Sequence, residues 1–147
     1  MTDKSKQATV MTKASNAAMR VLLGKLGVNI QGAELLHVRG RTSGKDYSVP
    51  VNPVLVAGKR YLFSPRGETA WVRNIRVAGE GSLQLGRRTE RFRVEELPDA
   101  EKVPIIRAYL DRWHWQVGKL VNAPKDADDA ALQAIAPNHP VFWIVSK

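Results

Sequence analysis

Two short segments of this 147-residue chain carry the residue types that hold an anion. The first is Arg39-Gly40-Arg41-Thr42-Ser43-Gly44-Lys45, which sets three cations, two hydroxyls and two glycines in a row. Glycine lets the backbone approach a ligand closely. Exposed amides beside arginine form an anion cradle, and the planar guanidinium fork matches phosphate or carboxylate. The spacing is not that of a Walker loop, and no helix follows it directly. The second segment is Ser64-Pro65-Arg66-Gly67, which runs into Trp71-Val72-Arg73-Asn74. A helix starting here would turn its N-terminal amides toward an anion. Trp71 and Asn74, three apart, would share one face of it. Each segment also reads more plainly: the first as a solvated turn, Trp71 as a core residue, Asn74 as a capping residue.

Other chemistries find less support. The chain has no cysteine, which excludes disulfides, thiol nucleophiles and Cys-ligated zinc. His37, His114 and His139 are far apart, with no metal-ligand spacing, and read as structural. No acid–base pair stands out. The net charge of +9 is unevenly placed: residues 32–93 hold 12 Lys/Arg against 5 Asp/Glu, and residues 94–147 hold 6 against 8. A positive field of this kind draws nucleic acid, an anionic membrane or a small polyanion. Nucleic acid is the weakest of the three, because the basic residues are not interleaved with the aromatics that a single-strand platform needs.

The elements that must position these segments follow from pattern. The length is that of one domain, expected over residues 13–147 behind a mobile basic tail at 1–12. Met19, Leu22, Leu23 and Leu26 recur at helical spacing, so residues 14–26 read as a helix packed on the domain, or as a basic amphipathic segment on a membrane surface. Strands are expected at Leu35–Val38, Tyr47–Val56, Tyr61–Phe63, around Leu83 and Leu85, around Phe92 and Val94, and at Val141–Val145. Pro50 and Pro53 make the second an edge, a bulge or an irregular strand. Ala57-Gly58-Lys59 reads as a hairpin turn. The first five strands together suggest a meander, closed into a barrel that hides its edges. A short helix is expected over 69–77. A longer one is expected after Pro98-Asp99, with Asp99 as cap and Pro104 delaying its regular part to about Val103. Its apolar stripe is Ile106, Leu110, Trp113 and Val117, and a further short helix covers 130–135. The apolar stretch Tyr47–Gly58 falls well short of the ~20 residues of a membrane span. The N-terminus does not read as a secretory signal.

The order of pieces has a counterpart. Leu35–Val38 followed by Gly40-Arg41-Thr42-Ser43-Gly44, then Pro50, Tyr61–Ser64, Arg66-Gly67, Trp71-Val72-Arg73-Asn74-Ile75-Arg76, Leu83-Gln84-Leu85-Gly86 and Pro140-Val141-Phe142 resemble the deazaflavin-dependent nitroreductase family. The likeness is good over about residues 30–97 and looser beyond. It implies a mainly β, α+β fold with flanking helices: a split β-barrel related to flavin-reductase and pyridoxamine-oxidase barrels. It also implies the coenzyme F420, a deazaflavin with a phosphodiester arm and an oligoglutamate tail.

Carried over by position, Arg41, Thr42 and Ser43 would hold the anionic arm, and Lys45 would reach the glutamates. Pro50, Val51 and Asn52 would line the ring. Ser64, Pro65, Arg66 and Gly67 would meet its polar edge or the phosphate, and Trp71 and Asn74 would complete the pocket. On the substrate side, Trp113 stands about where family members place a tyrosine, with Tyr109 one turn earlier; a core role for Trp113 and a lid role for Trp115 are the alternatives. The implied activity is hydride transfer from the reduced coenzyme to a small-molecule acceptor: a quinone, an activated alkene or a nitro compound. The alternative is a carrier of F420 or a fatty-acyl ligand without turnover. A cytoplasmic location is expected, with peripheral membrane contact through residues 14–26 left open, and a monomer is favoured over a homodimer.

Overall fold

The computed structural model describes residues 33–124 and 126–147, with the backbone alone described at 114–120. The tail and helix expected within residues 1–26 lie outside the described residues. Among the described residues seven strands and three helices follow in order: β1 Glu34–Arg39, β2 Asp46–Val51, β3 Val54–Val56, β4 Lys59–Phe63, α1 Ala70–Ala78, β5 Glu80–Leu85, β6 Arg88–Glu96, α2 Val103–Val121, α3 Asp129–Ile135 and β7 Val141–Ser146. The strands form one sheet in the order β2-β1-β5-β6-β7-β4-β3, and all its pairings are antiparallel.

The shape follows from one connection. β2 and β3 lie at opposite edges of the sheet, yet only Asn52 and Pro53 separate them. Three peptide steps reach roughly 10 Å, so the sheet must curl until its two edges meet there. The result is a split β-barrel with flanking helices. Pro53 helps cause the break, since it has no N–H for a ladder, while Pro50 is tolerated because β2 is an edge strand.

Alternation along the strands turns Leu36, Val38, Leu62, Leu83, Phe92, Phe142 and Ile144 into the barrel, and α1 adds Val72 and Ile75. A second core lies outside the barrel, where Ile105, Ile106, Tyr109, Leu110 and Trp113 of α2 pack on Val54, Phe63 and Val141. At roughly 1.5–3 kcal/mol for each fully buried large apolar side chain, these two cores hold α1 and α2 in place.

The strands are not a meander. β5 returns to pair with β1, and β7 enters between β6 and β4. Leu85 shares the parity of Leu83 but ends its strand beside the Gly86 turn and is 46% exposed. Asp99 does not cap a long helix: it opens a 3-10 turn, Asp99–Glu101, and α2 starts at Val103. There the Asp99 carboxylate accepts from the buried Lys102 at 2.7 Å, while Lys102 also donates to the Ala136 carbonyl at 3.0 Å. At Trp113 the backbone leaves the helical region (φ −127°, ψ 16°), and α2 kinks.

Candidate functional site

The β1–β2 turn is built by its own small residues. The Gly40 amide donates to the Lys45 carbonyl at 2.7 Å, and the Gly44 amide to the Gly40 carbonyl at 3.0 Å. Gly44 is left-handed (φ +72°). The Tyr47 ring packs against Gly40, where a β-carbon would clash with it. Ser43 Oγ accepts from the Lys45 amide and sits 3.2 Å from the Tyr47 hydroxyl. Arg41 is tied across to α1: its backbone amide and its Nη1 both donate to Asn74 Oδ1, at 3.0 and 2.7 Å.

The β4–α1 turn is held from three sides. Ser64 Oγ donates to the Gly67 carbonyl at 2.6 Å, and the Ser64 amide to the Pro140 carbonyl at 3.1 Å. His139 Nδ1 donates to the Ser64 carbonyl at 3.1 Å. Burial pushes the His139 imidazole below its usual range. The Ser64 and Val121 carbonyls pull the other way, and Lys102 adds to the lowering. Beyond the turn, Thr69 precedes the first turn of α1 with its Oγ1 buried and, among the described residues, without a partner. The free amides of that helical turn have no capping side chain.

Both turns open on one cleft of about 680 Å³, within the range of cavities that hold a cofactor-sized ligand. It gathers Arg41, Thr42 and Ser43 from the first turn and Ser64, Pro65 and Arg66 from the second. Pro50, Val51 and Asn52 come from β2 and its end, and Trp71 and Asn74 from α1. Lys45 is not on its wall and lies exposed at the base of the first turn. Gly67 faces a second cavity of about 330 Å³, which shares Pro65 and Arg66 with the cleft and includes Asn122, Asn138 and His139. Among the described residues no aspartate or glutamate lines the main cleft.

Tyr109 and Trp113 are not on that wall either. They stand behind it, with Phe63 4.5 Å from Tyr109 and Tyr109 4.7 Å from Trp113, ring centre to ring centre. Phe63 is the member of this stack that reaches the cleft. Burial holds the Tyr109 phenol well above its ordinary range, and the neighbouring Asn52 amide partly offsets this. Trp113 Nε1 is buried and has no hydrogen-bond partner among the described residues. The side chain of Trp115 lies outside the described residues.

Sequence reasoning passed over Tyr47, Ser48, Val49, Phe63, Thr69 and Ala70, which also line the cleft. Residues of both parities on β2 take part, as suits a strand whose unpaired edge faces a cavity. The edge status that Pro50 and Pro53 signalled was the clue. Among the described residues no cluster of three or more His, Asp or Glu could hold a metal ion, and no helix is long and apolar enough to cross a membrane.

No family model and no curated protein matches the chain. Solved structures do. A protein of unknown function from Agrobacterium tumefaciens superposes with a TM-score of 0.59 at 18% identity over 88% of this chain and 54% of that one, so the chain spans about half its length. A protein of Listeria innocua, provisionally described as a pyridoxamine 5′-phosphate oxidase, gives 0.54 at 11% identity over 90% and 94% of the two chains. A conserved hypothetical protein from Mycobacterium tuberculosis gives 0.50 at 15% identity over 89% and 79%. At these identities the likeness is one of fold: the chain is a split-barrel protein with a cation-bearing cleft at the seam of its sheet.

Proposed function

We propose that the chain is a deazaflavin-dependent oxidoreductase that binds F420 in the main cleft and reduces a small electron-poor acceptor. One observation carries the reading. Two arginine-bearing turns, 25 residues apart in sequence, face a single cleft whose intervening wall is apolar. An elongated ligand with a flat aromatic body and an anionic arm suits such a site.

The residues present fit that group. Pro50, Val51, Phe63 and Trp71 offer an apolar slot for the ring. Arg41, the Thr42 and Ser43 hydroxyls and the free amides at the start of α1 suit the phosphodiester. The buried Thr69 Oγ1, which has no partner among the described residues, is a polar atom that a ligand edge would satisfy. When bound, the coenzyme supplies the hydride. The protein's part is to hold the ring, keep water from one face and leave the other open to the acceptor. Tyr109 serves this reading from behind the wall: it backs Phe63 and borders Asn52, and its buried, firmly held proton is poorly placed for direct transfer.

The test is a fluorescence titration of the purified protein with F420 and with flavin mononucleotide, followed by acceptor-dependent oxidation of the reduced coenzyme with quinones, enones and nitroarenes. Micromolar or tighter binding of F420, with turnover of at least one acceptor class, is expected. Binding of flavin mononucleotide in preference to F420 rejects the reading. Saturable F420 binding without turnover makes the chain a carrier.

A further inference from the structure

Asn74 lies on the cleft wall, only 5% exposed. Its Oδ1 takes two hydrogen bonds from one residue 33 positions earlier, the Arg41 amide and the Arg41 guanidinium. Two donors on one atom settle which end of the amide faces Arg41, because the NH₂ end cannot accept. An aspartate would fill the same space and take the same bonds more strongly. The amide differs in one respect: it holds a guanidinium without cancelling its charge. Among the described residues Arg41 enters no ion pair. The nearby α1 arginine that does meet carboxylates, Arg76, spends its charge on Glu68 and Glu96 at the surface. The cleft wall, which carries no carboxylate among the described residues, continues the same pattern.

We propose that Asn74 is a specificity-determining positioning residue, a neutral clamp that orients Arg41 at the cleft and leaves its whole charge for the ligand. The site thereby selects phosphorylated over phosphate-free forms of the same chromophore. The inference rests on the cleft being a cofactor site, but not on which chromophore fills it. The clamp also joins the β1–β2 turn to α1, so the cation stands pre-oriented before a ligand arrives, and less ordering is left to binding.

The experiment measures Kd for F420 against its phosphate-free chromophore, for flavin mononucleotide against riboflavin, and for inorganic pyrophosphate, in the wild type, Asn74→Asp and Asn74→Ala. The phosphate advantage is the ratio of the two affinities within a pair. Asn74→Asp shrinks it roughly ten- to hundredfold, the loss of one charge-assisted contact. Asn74→Ala keeps the cation and loses only its orientation, so the ratio falls by about three- to tenfold. The near-isosteric change is therefore the more damaging one, the reverse of what a packing role produces. Affinity for the phosphate-free chromophore falls less than about threefold in both.

The proposal is overturned if Asn74→Asp keeps the wild-type ratio, if Asn74→Ala lowers it further than Asn74→Asp does, or if both ligands of a pair weaken equally. Should Asn74→Asp not fold, Arg41→Gln carries the test: it retains the backbone bond to Asn74, removes the charge, and must shrink the advantage roughly ten- to hundredfold. A preference for flavin mononucleotide over F420 sinks the deazaflavin reading while a collapsed ratio in Asn74→Asp still upholds the clamp. Failure of the wild type to bind F420, flavin mononucleotide or pyrophosphate overturns both.

Discussion

His139, which lines the second cavity, shows how much a single side chain can govern. It is 4% exposed and holds the Ser64 carbonyl at 3.1 Å, so it steadies the turn that presents Arg66. Because burial lowers its folded-state pKa, the fold prefers the neutral ring. Its contribution is then fully present above the unfolded histidine value near 6.5 and is lost as pH falls through the lowered folded value. Thermal melts between pH 8 and pH 5 should fall on the acid side in the wild type and fall less in His139→Gln. An equal acid slope in the two proteins would contradict this. Arg41→Ala removes the cation outright and should weaken binding of a phosphorylated coenzyme by roughly ten- to hundredfold, read by titration. The cations of the cleft make that affinity salt-sensitive, as partly exposed charges are screened.

At the scale of elements, the turns carry their own tests. Ala57 and Gly58 both have positive φ, 51° and 79°, at the β3–β4 hairpin. This is the pattern of a type I′ turn, where asparagine and glycine are favoured. Alanine at the first position is therefore strained, and Ala57→Asn should stabilise the protein by about 0.5–1 kcal/mol, seen as a higher Tm with the cleft unaffected. Gly67 is the opposite case. Its φ is +81°, and a β-carbon there would stand 3.0 Å from the Asn138 carbonyl. Gly67→Ala should cost about 1–2 kcal/mol and loosen the Arg66 turn, lowering both Tm and coenzyme affinity.

Most single elements were legible in the chain, because each is governed by local rules. Alternation marks β1, β5 and β6, Pro104 sets the start of α2, and Ala57-Gly58 marks the hairpin. Lys102 was not legible, since its partner, the Ala136 carbonyl, is 34 residues away. Nor did the α2 stripe say what Tyr109 and Trp113 would face: a helical period tells which residues are buried, not against what.

For the whole molecule, the seam between β2 and β3 is where fold and site meet, since curling the sheet there makes the cleft. A ligand that bridges the two turns should tighten that seam. At a coenzyme concentration of about 100 Kd, binding is worth about 2.7 kcal/mol. For a domain of this size that is roughly 5–10 °C in Tm, measurable by differential scanning fluorimetry. A ligand that left Tm unmoved at saturation would not be bridging the cleft.

Taken alone, the order of residues determined that the chain is β-rich, that two small basic turns flank strands, and that its prolines make the second strand an edge, bulged or irregular one. These follow from steric and hydrogen-bonding limits within a few residues. Only the tertiary structure decided that β5 pairs with β1, that β7 fills the gap between β6 and β4, and that Arg41 and Arg66 share a cleft. Such pairings are settled by which apolar faces can be buried together across long stretches of chain, a competition that no local window contains. Asn74 joins the two levels: its position on α1 is local, but its meeting with Arg41 exists only because the barrel closes.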